Sequence, residues 1–178
     1  MKRVLVLVFV VCVMGSRANA DAGCGIVFGG DWAFGFSAPA RWVSQCNAEK
    51  TAGATVALWP QGTTLAAAPA VMDVTVKEKN QRSLAMFAAD EQQRFRSGKP
   101  NATVRFEPGM SVAGGAAALV FRAADSRDHE LIAYLQGPTR FFIVAMSVRN
   151  GRSLDEYKGA FQSLLTSFVP MKVTSPAK

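Results

Sequence analysis

The stretch HELIAYLQGPTRFFIVAMSVR, from His129 to Arg149, decides the fold. Gly137-Pro138 is a turn signal that divides it into two strand-like segments, and so short a connection pairs neighbouring strands antiparallel. The second segment, Thr139–Arg149, is apolar on both faces near its centre, with Phe142, Val144, Met146 and Val148 on one face and Phe141, Ile143 and Ala145 on the other. A sheet with one wet face would alternate apolar and polar residues. This strand is therefore predicted to be central, with a layer covering each face.

Two segments have helical periodicity. The first is predicted over residues 84–97, with Ser83 as the N-cap and Gly98 as the C-terminal stop. The second begins at a capping box, S-x-x-E, formed by Ser153 and Glu156. Its apolar stripe consists of Leu154, Tyr157, Phe161, Leu164, Leu165 and Phe168. Both segments are therefore predicted to be amphipathic helices that pack on the sheet.

Further strand-like segments complete the pattern. They are Trp32–Ala38, Ala54–Trp59, Val71–Lys77, Ala102–Glu107 and Ser111–Ala123, the last with a predicted bulge at Gly114-Gly115. The order of elements reads ββ(β)-α-ββββ-α. We therefore predict an α+β fold, with an antiparallel sheet of about six or seven strands covered by helices.

The N-terminus has the layout of a secretory signal peptide. A basic start (MKR) is followed by an apolar run (VLVLVFVVCVM) and a small, polar tail (GSRANA). Cleavage after Ala20 assigns residues 1–20 to the signal peptide and residues 21–170 to a single domain. Residues 171–178 are predicted to form a flexible C-terminal tail. No second apolar stretch is long enough to span a bilayer, so the mature chain is expected to be exported, periplasmic or secreted, without a transmembrane segment.

Two cysteines remain after cleavage, Cys24 and Cys46. An even pair in an oxidising compartment favours a disulfide bond between them. The alternative is a lipid anchor at Cys24, in which the preceding residues form a lipoprotein box. Asp21 disfavours it, because that position requires an apolar residue.

The charge pattern argues against nucleic-acid binding. The 20 basic and 13 acidic residues give a net charge of +7, which falls to +4 once Lys2, Arg3 and Arg17 leave with the signal peptide. The remaining charges are scattered, whereas a nucleic-acid binder concentrates basic residues in a patch or stripe.

The search for catalytic residues rests on one histidine, His129. A zinc site or a Ser-His-Asp triad would need further partners, and the nearby Asp125, Asp128 and Glu130 lie at a turn, where solvated acids are ordinary. The sequence contains no G-x-S-x-G elbow and no phosphate-binding glycine loop. We therefore expect no enzyme activity, no metal and no cofactor. A hydrolase using His129 remains the lesser alternative.

A ligand groove beside the sheet is a further hypothesis. Trp42 and Trp59 would line it, and Leu65 lies in the long loop Pro60–Pro69 that would form its edge. A small-molecule or lipid carrier is therefore the alternative function that the sequence leaves open.

Three motifs resemble the PsbP-like superfamily, which includes PsbP proteins and DcrB-type bacterial envelope proteins. They are F-x-x-P-x-x-W at Phe36, Pro39 and Trp42, the strand-turn-strand ELIAYLQGPTRFFIVAMSV, and the terminal-helix pattern at Tyr157, Phe161, Leu165, Ser167 and Phe168. Their order covers most of residues 31–169. The resemblance implies an αβα sandwich and a non-catalytic binding or assembly module. It names no partner and carries over no binding residue.

Overall fold

The computed structural model describes residues 25–48, 53–113, 118–124, 129–149 and 151–173. The predicted signal peptide, Cys24, the predicted bulge at Gly114-Gly115 and the turn at 125–128 lie outside the described residues. The predictions made for them are therefore left as predictions.

The described chain contains ten strands and two helices. In chain order these are β1 (Ile26–Phe28), β2 (Trp32–Gly35), β3 (Trp42–Cys46), β4 (Val56–Pro60), β5 (Ala70–Glu78), α1 (Leu84–Gly98), β6 (Thr103–Phe106), β7 (Ala118–Ala124), β8 (His129–Gln136), β9 (Arg140–Val148), α2 (Asp155–Ser167) and β10 (Val169–Lys172). Seven strands form one sheet in the order β3-β4-β5-β9-β8-β7-β6, and three form a second sheet in the order β1-β2-β10. All strand pairs are antiparallel. The predicted α+β fold is thus confirmed.

Strand β9 lies at the centre of the seven-stranded sheet, as its two apolar faces predicted. It pairs with β5 along nine residues and with β8 along eight. Val144, for example, lies opposite Val74 on one side and Ala133 on the other, and all three are buried. The strand is apolar throughout its middle because both of its faces are covered.

One face of the large sheet packs against α2 and the small sheet. Phe161, Leu164 and Leu165 of α2 are buried in the same apolar cluster as Met72 and Val144. An ion-pair network holds the helix at its first turn, because Arg122 on β7 pairs with Glu107 at 3.0 Å and with Asp155 at 3.0 Å. Lys158 adds a second cation to Glu107. These hydrogen bonds to Arg122 and then Lys158 hold the pKa of Glu107 below its usual value.

The opposite face packs against α1. Phe87 stacks on Phe141 with ring centroids 4.4 Å apart and meets Tyr134 edge-on at 5.9 Å. The N-cap is the predicted one, since Ser83 Oγ accepts a hydrogen bond from the Met86 amide at 3.2 Å. A helix on each face of the sheet gives the αβα layering that the sequence predicted.

Two local predictions were wrong. The capping box does not form, because Ser153 Oγ accepts from the amide of Asp155 and Glu156 pairs with Arg152 instead. Residues 171 and 172 do not belong to a loose tail, because Val169–Lys172 is strand β10, paired with Trp32–Gly35. Pairing with β2 makes this short strand the third strand of the small sheet and holds residues 169–172 in an extended backbone conformation.

Candidate protein-binding surface on the small sheet

The small sheet turns one face towards the core. Phe34 at its centre is fully buried and stacks on Phe168 with centroids 5.0 Å apart. Phe142 of the large sheet meets both rings edge-on at 5.5 Å. Below them, Ser167 Oγ accepts a hydrogen bond from the Ser37 amide at 3.0 Å. The inner face therefore packs against α2 and β9 through these aromatic contacts.

The turn between β1 and β2 is tied to the large sheet. Arg140 donates to Asp31 at 2.8 Å and pairs with Glu78 at 3.2 Å, so one guanidinium joins the turn to the end of β5. Thr139 Oγ1 also donates to the Asp31 carbonyl at 3.0 Å. Before the turn, Gly29 lies against the Trp32 indole, where a Cβ would come within 2.1 Å of the ring. These contacts give the β1–β2 hairpin a defined position.

The outer face of the small sheet is apolar and exposed. Ile26, Phe28 and Val169 have 53%, 68% and 47% of their surface exposed. Ile26 and Val169 flank Gly35 in one row, while Phe28 flanks Ala33 in the next. We call these three exposed side chains the outer apolar patch. Single exposed apolar residues are ordinary, whereas a cluster of them on one sheet face is a candidate interaction surface.

Sequence reasoning missed this surface. Residues 26–28 were assigned to no strand, because strands of three and four residues are too short for a clear alternation signal. One signal was present in the sequence: apolar residues stand at the alternate positions Ile26 and Phe28, and no charged residue lies between Gly25 and Gly30. A surface strand normally carries polar residues on its outward side.

The structure separates the residues of the predicted groove. Trp42 lies opposite Pro60 and Val43 lies opposite Trp59, so the two tryptophans project from opposite faces of the sheet. Trp42 packs edge-on against Tyr157 of α2 at 6.3 Å. A single groove lined by Trp42 and Trp59 is therefore inconsistent with the register.

The loop after β4 folds against Trp59. The indole Nε1 donates to the Thr63 carbonyl at 3.2 Å, and Thr63 Oγ1 donates to the Pro60 carbonyl at 2.7 Å. Leu65 is half-buried in this loop. Trp59 thus contacts this loop from one face of the sheet, whereas Trp42 lies on the other face.

The structure describes two of the four residues considered for the alternative hydrolase function, His129 and Glu130. His129 is half-buried at the start of β8, opposite Ala124 and Val148. Glu130, the next residue, faces the other side of the sheet and pairs with Lys99 at 2.7 Å. Asp125 and Asp128 lie outside the described residues. Among the described residues no three His, Cys, Asp or Glu side chains group as a metal-ligand set.

Asp73 is a carboxyl group that sequence reasoning did not select as a candidate site residue. It lies on β5, opposite Ala57 and Ala145, on the face that carries α1. Burial and, to a smaller extent, the negative charge of Glu130 together raise the pKa of Asp73 to about 7. The carboxyl group of Asp73 is therefore partly protonated at neutral pH.

Cys46, at the end of β3, is half-buried. Its predicted partner Cys24 lies outside the described residues, so the Cys24–Cys46 disulfide remains a prediction. Within the described part of the chain, neither α1 nor α2 has the length and apolar character to cross a membrane.

The architecture defines the class: a PsbP-like α+β fold, with a central antiparallel sheet between helices and a small sheet at one side. Among solved structures, the chain is similar to the solution structure of cyanobacterial PsbP (CyanoP) from Synechocystis sp. PCC 6803. The TM-score is 0.50 at 17% sequence identity, over 76% of this chain and 85% of the other. At this identity the likeness establishes the fold alone. No protein-family model matches the sequence, and no curated protein matches it either.

Proposed function

We propose that this protein is an exported, non-catalytic module of the cell envelope, of the DcrB type, that binds another protein or stabilises an assembly. Export would follow from the predicted signal peptide at residues 1–20, and the mature protein would then lie in the periplasm or outside the cell. The observation that carries the binding role is the outer apolar patch, Ile26, Phe28 and Val169.

The patch supports this role because it is both apolar and rigidly mounted. Leaving apolar surface in water costs roughly 25 cal/mol per Å², and a partner that covers it recovers this free energy. The inner face of the same sheet is fixed by the stacking of Phe34 on Phe168. A surface held in one conformation loses little entropy when it binds.

The test is the size of the native complex in envelope extracts of the source cells. A Phe28→Lys variant should shift the protein from a larger assembly to the free monomer, because a cation replaces an apolar contact. Met86→Lys is the matched control, since Met86 on α1 is 60% exposed and far from this sheet in the fold. A monomer in the unmodified cells, or an assembly that survives Phe28→Lys, would contradict the proposal.

A further inference from the structure

The hydrogen-bonding pattern of β1 leaves two of its residues with main-chain groups directed away from the protein. The Gly29 amide donates to the Trp32 carbonyl at 2.8 Å, and the Phe36 amide donates to the Gly25 carbonyl at 3.0 Å. Antiparallel pairs alternate between hydrogen-bonded and non-hydrogen-bonded positions. Ile26 and Phe28 occupy the alternate positions, so their N–H and C=O groups point away from β2, at an edge of the small sheet where the described residues place no further strand.

Within the described residues, β1 is the edge strand that carries neither a proline nor a charged or polar side chain. Natural edge strands carry prolines, charges or bulges that discourage pairing with another chain. Strand β10, at the other edge of the small sheet, contains Pro170 and Lys172, and β6 contains Arg105. On β3, Ser44 and Gln45 already have interactions of their own. β1 consists of Ile, Val and Phe between glycines.

We propose that β1 accepts an extended, uncharged segment of the partner protein as an additional strand of the small sheet. This inference rests on the proposed function and names the partner's chemistry. The incoming segment would exchange main-chain hydrogen bonds with Ile26 and Phe28, whose outward groups are spaced roughly 7 Å apart, the repeat of an extended chain. Its alternate side chains would contact the outer apolar patch, which supplies selectivity for apolar residues.

A second copy of the protein fits this edge less well than an extended segment does. The patch offers on the order of 300 Å² of apolar surface, whereas a stable interface buries about 800 Å² on each partner. A rigid second copy would therefore bury too little surface. An extended segment conforms to the edge and gains hydrogen bonds that side-chain packing alone does not provide. The absence of charge on β1 selects a segment that is itself uncharged along this side.

The probe is a synthetic peptide, acetyl-Lys-Thr-Val-Thr-Val-Thr-Val-Lys-amide, added to the exported protein. Amide hydrogen exchange measured by NMR should slow at least tenfold at Ile26 and Phe28 and remain unchanged at Val27, whose position in the ladder is already bonded. The same peptide with every central amide N-methylated should have no effect. Slowing by the N-methylated peptide, or none by the parent peptide, would overturn the proposal.

A variant of the protein also tests whether a strand adds to β1. Ile26→Pro removes an outward donor without removing a bond to β2, and proline is tolerated on an edge strand. It should lose the response to the peptide, while Met86→Lys keeps it. If Ile26→Pro fails to fold, the N-methylated peptide on the unmodified protein still decides the question.

Other occupants give different results. Protection of Ile26 and Phe28 that rises with protein concentration and without peptide would mean a second copy. Protection by phosphatidylglycerol–phosphatidylethanolamine vesicles and not by the peptide would mean a lipid surface. Either result overturns the proposal. If Phe28→Lys dissolves the native assembly while the peptide protects no amide, strand addition fails and the proposed protein-binding function stands.

Discussion

At the residue scale, the proposed binding surface depends on side chains that the sequence marks only weakly. Ile26, Phe28 and Val169 are ordinary apolar residues, and only their position on the outer face of the small sheet sets them apart. The Phe36, Pro39 and Trp42 motif is the opposite case. It is easily read in the sequence, yet Phe36 is buried and Trp42 packs on Tyr157, so the motif serves the core.

Asp73 should make the folded state less stable as the pH rises through neutrality. Its pKa is about 7 in the folded protein against an ordinary value of 3.8, so folded protein binds the proton more tightly than unfolded protein does. Stability is therefore lost between about pH 4 and pH 7, and the penalty is complete above that range, at up to about 4 kcal/mol. Asp73→Asn should raise the free energy of unfolding at pH 8 and not at pH 4.

Urea unfolding of both proteins across pH 4–8 checks this prediction. The difference between variant and unmodified protein isolates Asp73 from Glu107, whose lowered pKa acts in the opposite direction at acid pH. Asp90→Asn is the control, because the Asp90 side chain is 50% exposed. A difference that stays constant over the whole range would show that Asp73 is ionised throughout.

Alanine substitutions at Gly137 and Gly159 should change the stability of the protein in opposite directions. A Cβ at Gly137 would lie 2.5 Å from Phe142 Cε2 and 3.0 Å from the Arg140 carbonyl, and Phe142 is buried. Gly137→Ala should therefore destabilise the protein by about 2 kcal/mol through overpacking. At Gly159, inside α2, a Cβ meets nothing within 4 Å, so Gly159→Ala should stabilise by about 0.5–1 kcal/mol. Thermal unfolding measures both, and a shift of the same sign in both variants would refute this account.

At the scale of elements, hydrophobic periodicity predicted the helices and strands that have many buried positions. The helix predicted over 84–97 is α1 (Leu84–Gly98), and the strand predicted as central is β9. Long segments with many buried positions carry a strong pattern. The strands β1 and β10 have three and four residues, so too few positions exist for a pattern to appear. Trp42 and Trp59 were grouped because both are aromatic, but strand register separates them, and register depends on pairing between distant segments.

The ion-pair network should hold α2 on the sheet. Glu107 accepts from Arg122 at 3.0 Å and pairs with Lys158. Glu107→Gln removes the negative charge between two cations, so it should cost about 2 kcal/mol at pH 7. The pKa of Glu107 is lowered by folding, so its contribution exists above the unfolded pKa and is lost as the pH falls through the folded pKa.

Urea unfolding at pH 7 and at pH 3 tests this network. The two proteins should differ clearly at pH 7 and by less at pH 3. Glu156→Gln is the control, because Glu156 and Arg152 form an exposed pair at 3.8 Å that should contribute under 1 kcal/mol. Equal losses in the two variants at pH 7 would mean that the network does not hold the helix.

At the scale of the whole molecule, a Cys24–Cys46 disulfide would tie the segment before β1 to the end of β3. Closing a loop of this length contributes about 3 kcal/mol by restricting the unfolded chain. We predict that maleimide labelling of the denatured, non-reduced protein, isolated without residues 1–20, finds no free thiol, whereas prior reduction exposes both. Two labelled thiols without reduction would refute the pairing. A diacylated Cys24 in the mass spectrum would do the same, because that cysteine would then carry a lipid anchor.

In the whole molecule, the layered seven-stranded sheet supports a small three-stranded sheet. We propose that the outer face of this small sheet binds the partner protein. The most direct test of this claim is site-specific photo-crosslinking in the source cells, with p-benzoylphenylalanine at position 28 or, as the control, at position 86. The account predicts a discrete protein adduct from position 28, which Val169→Lys abolishes and which position 86 does not give. No adduct from position 28, or the same adducts from both positions, would contradict it.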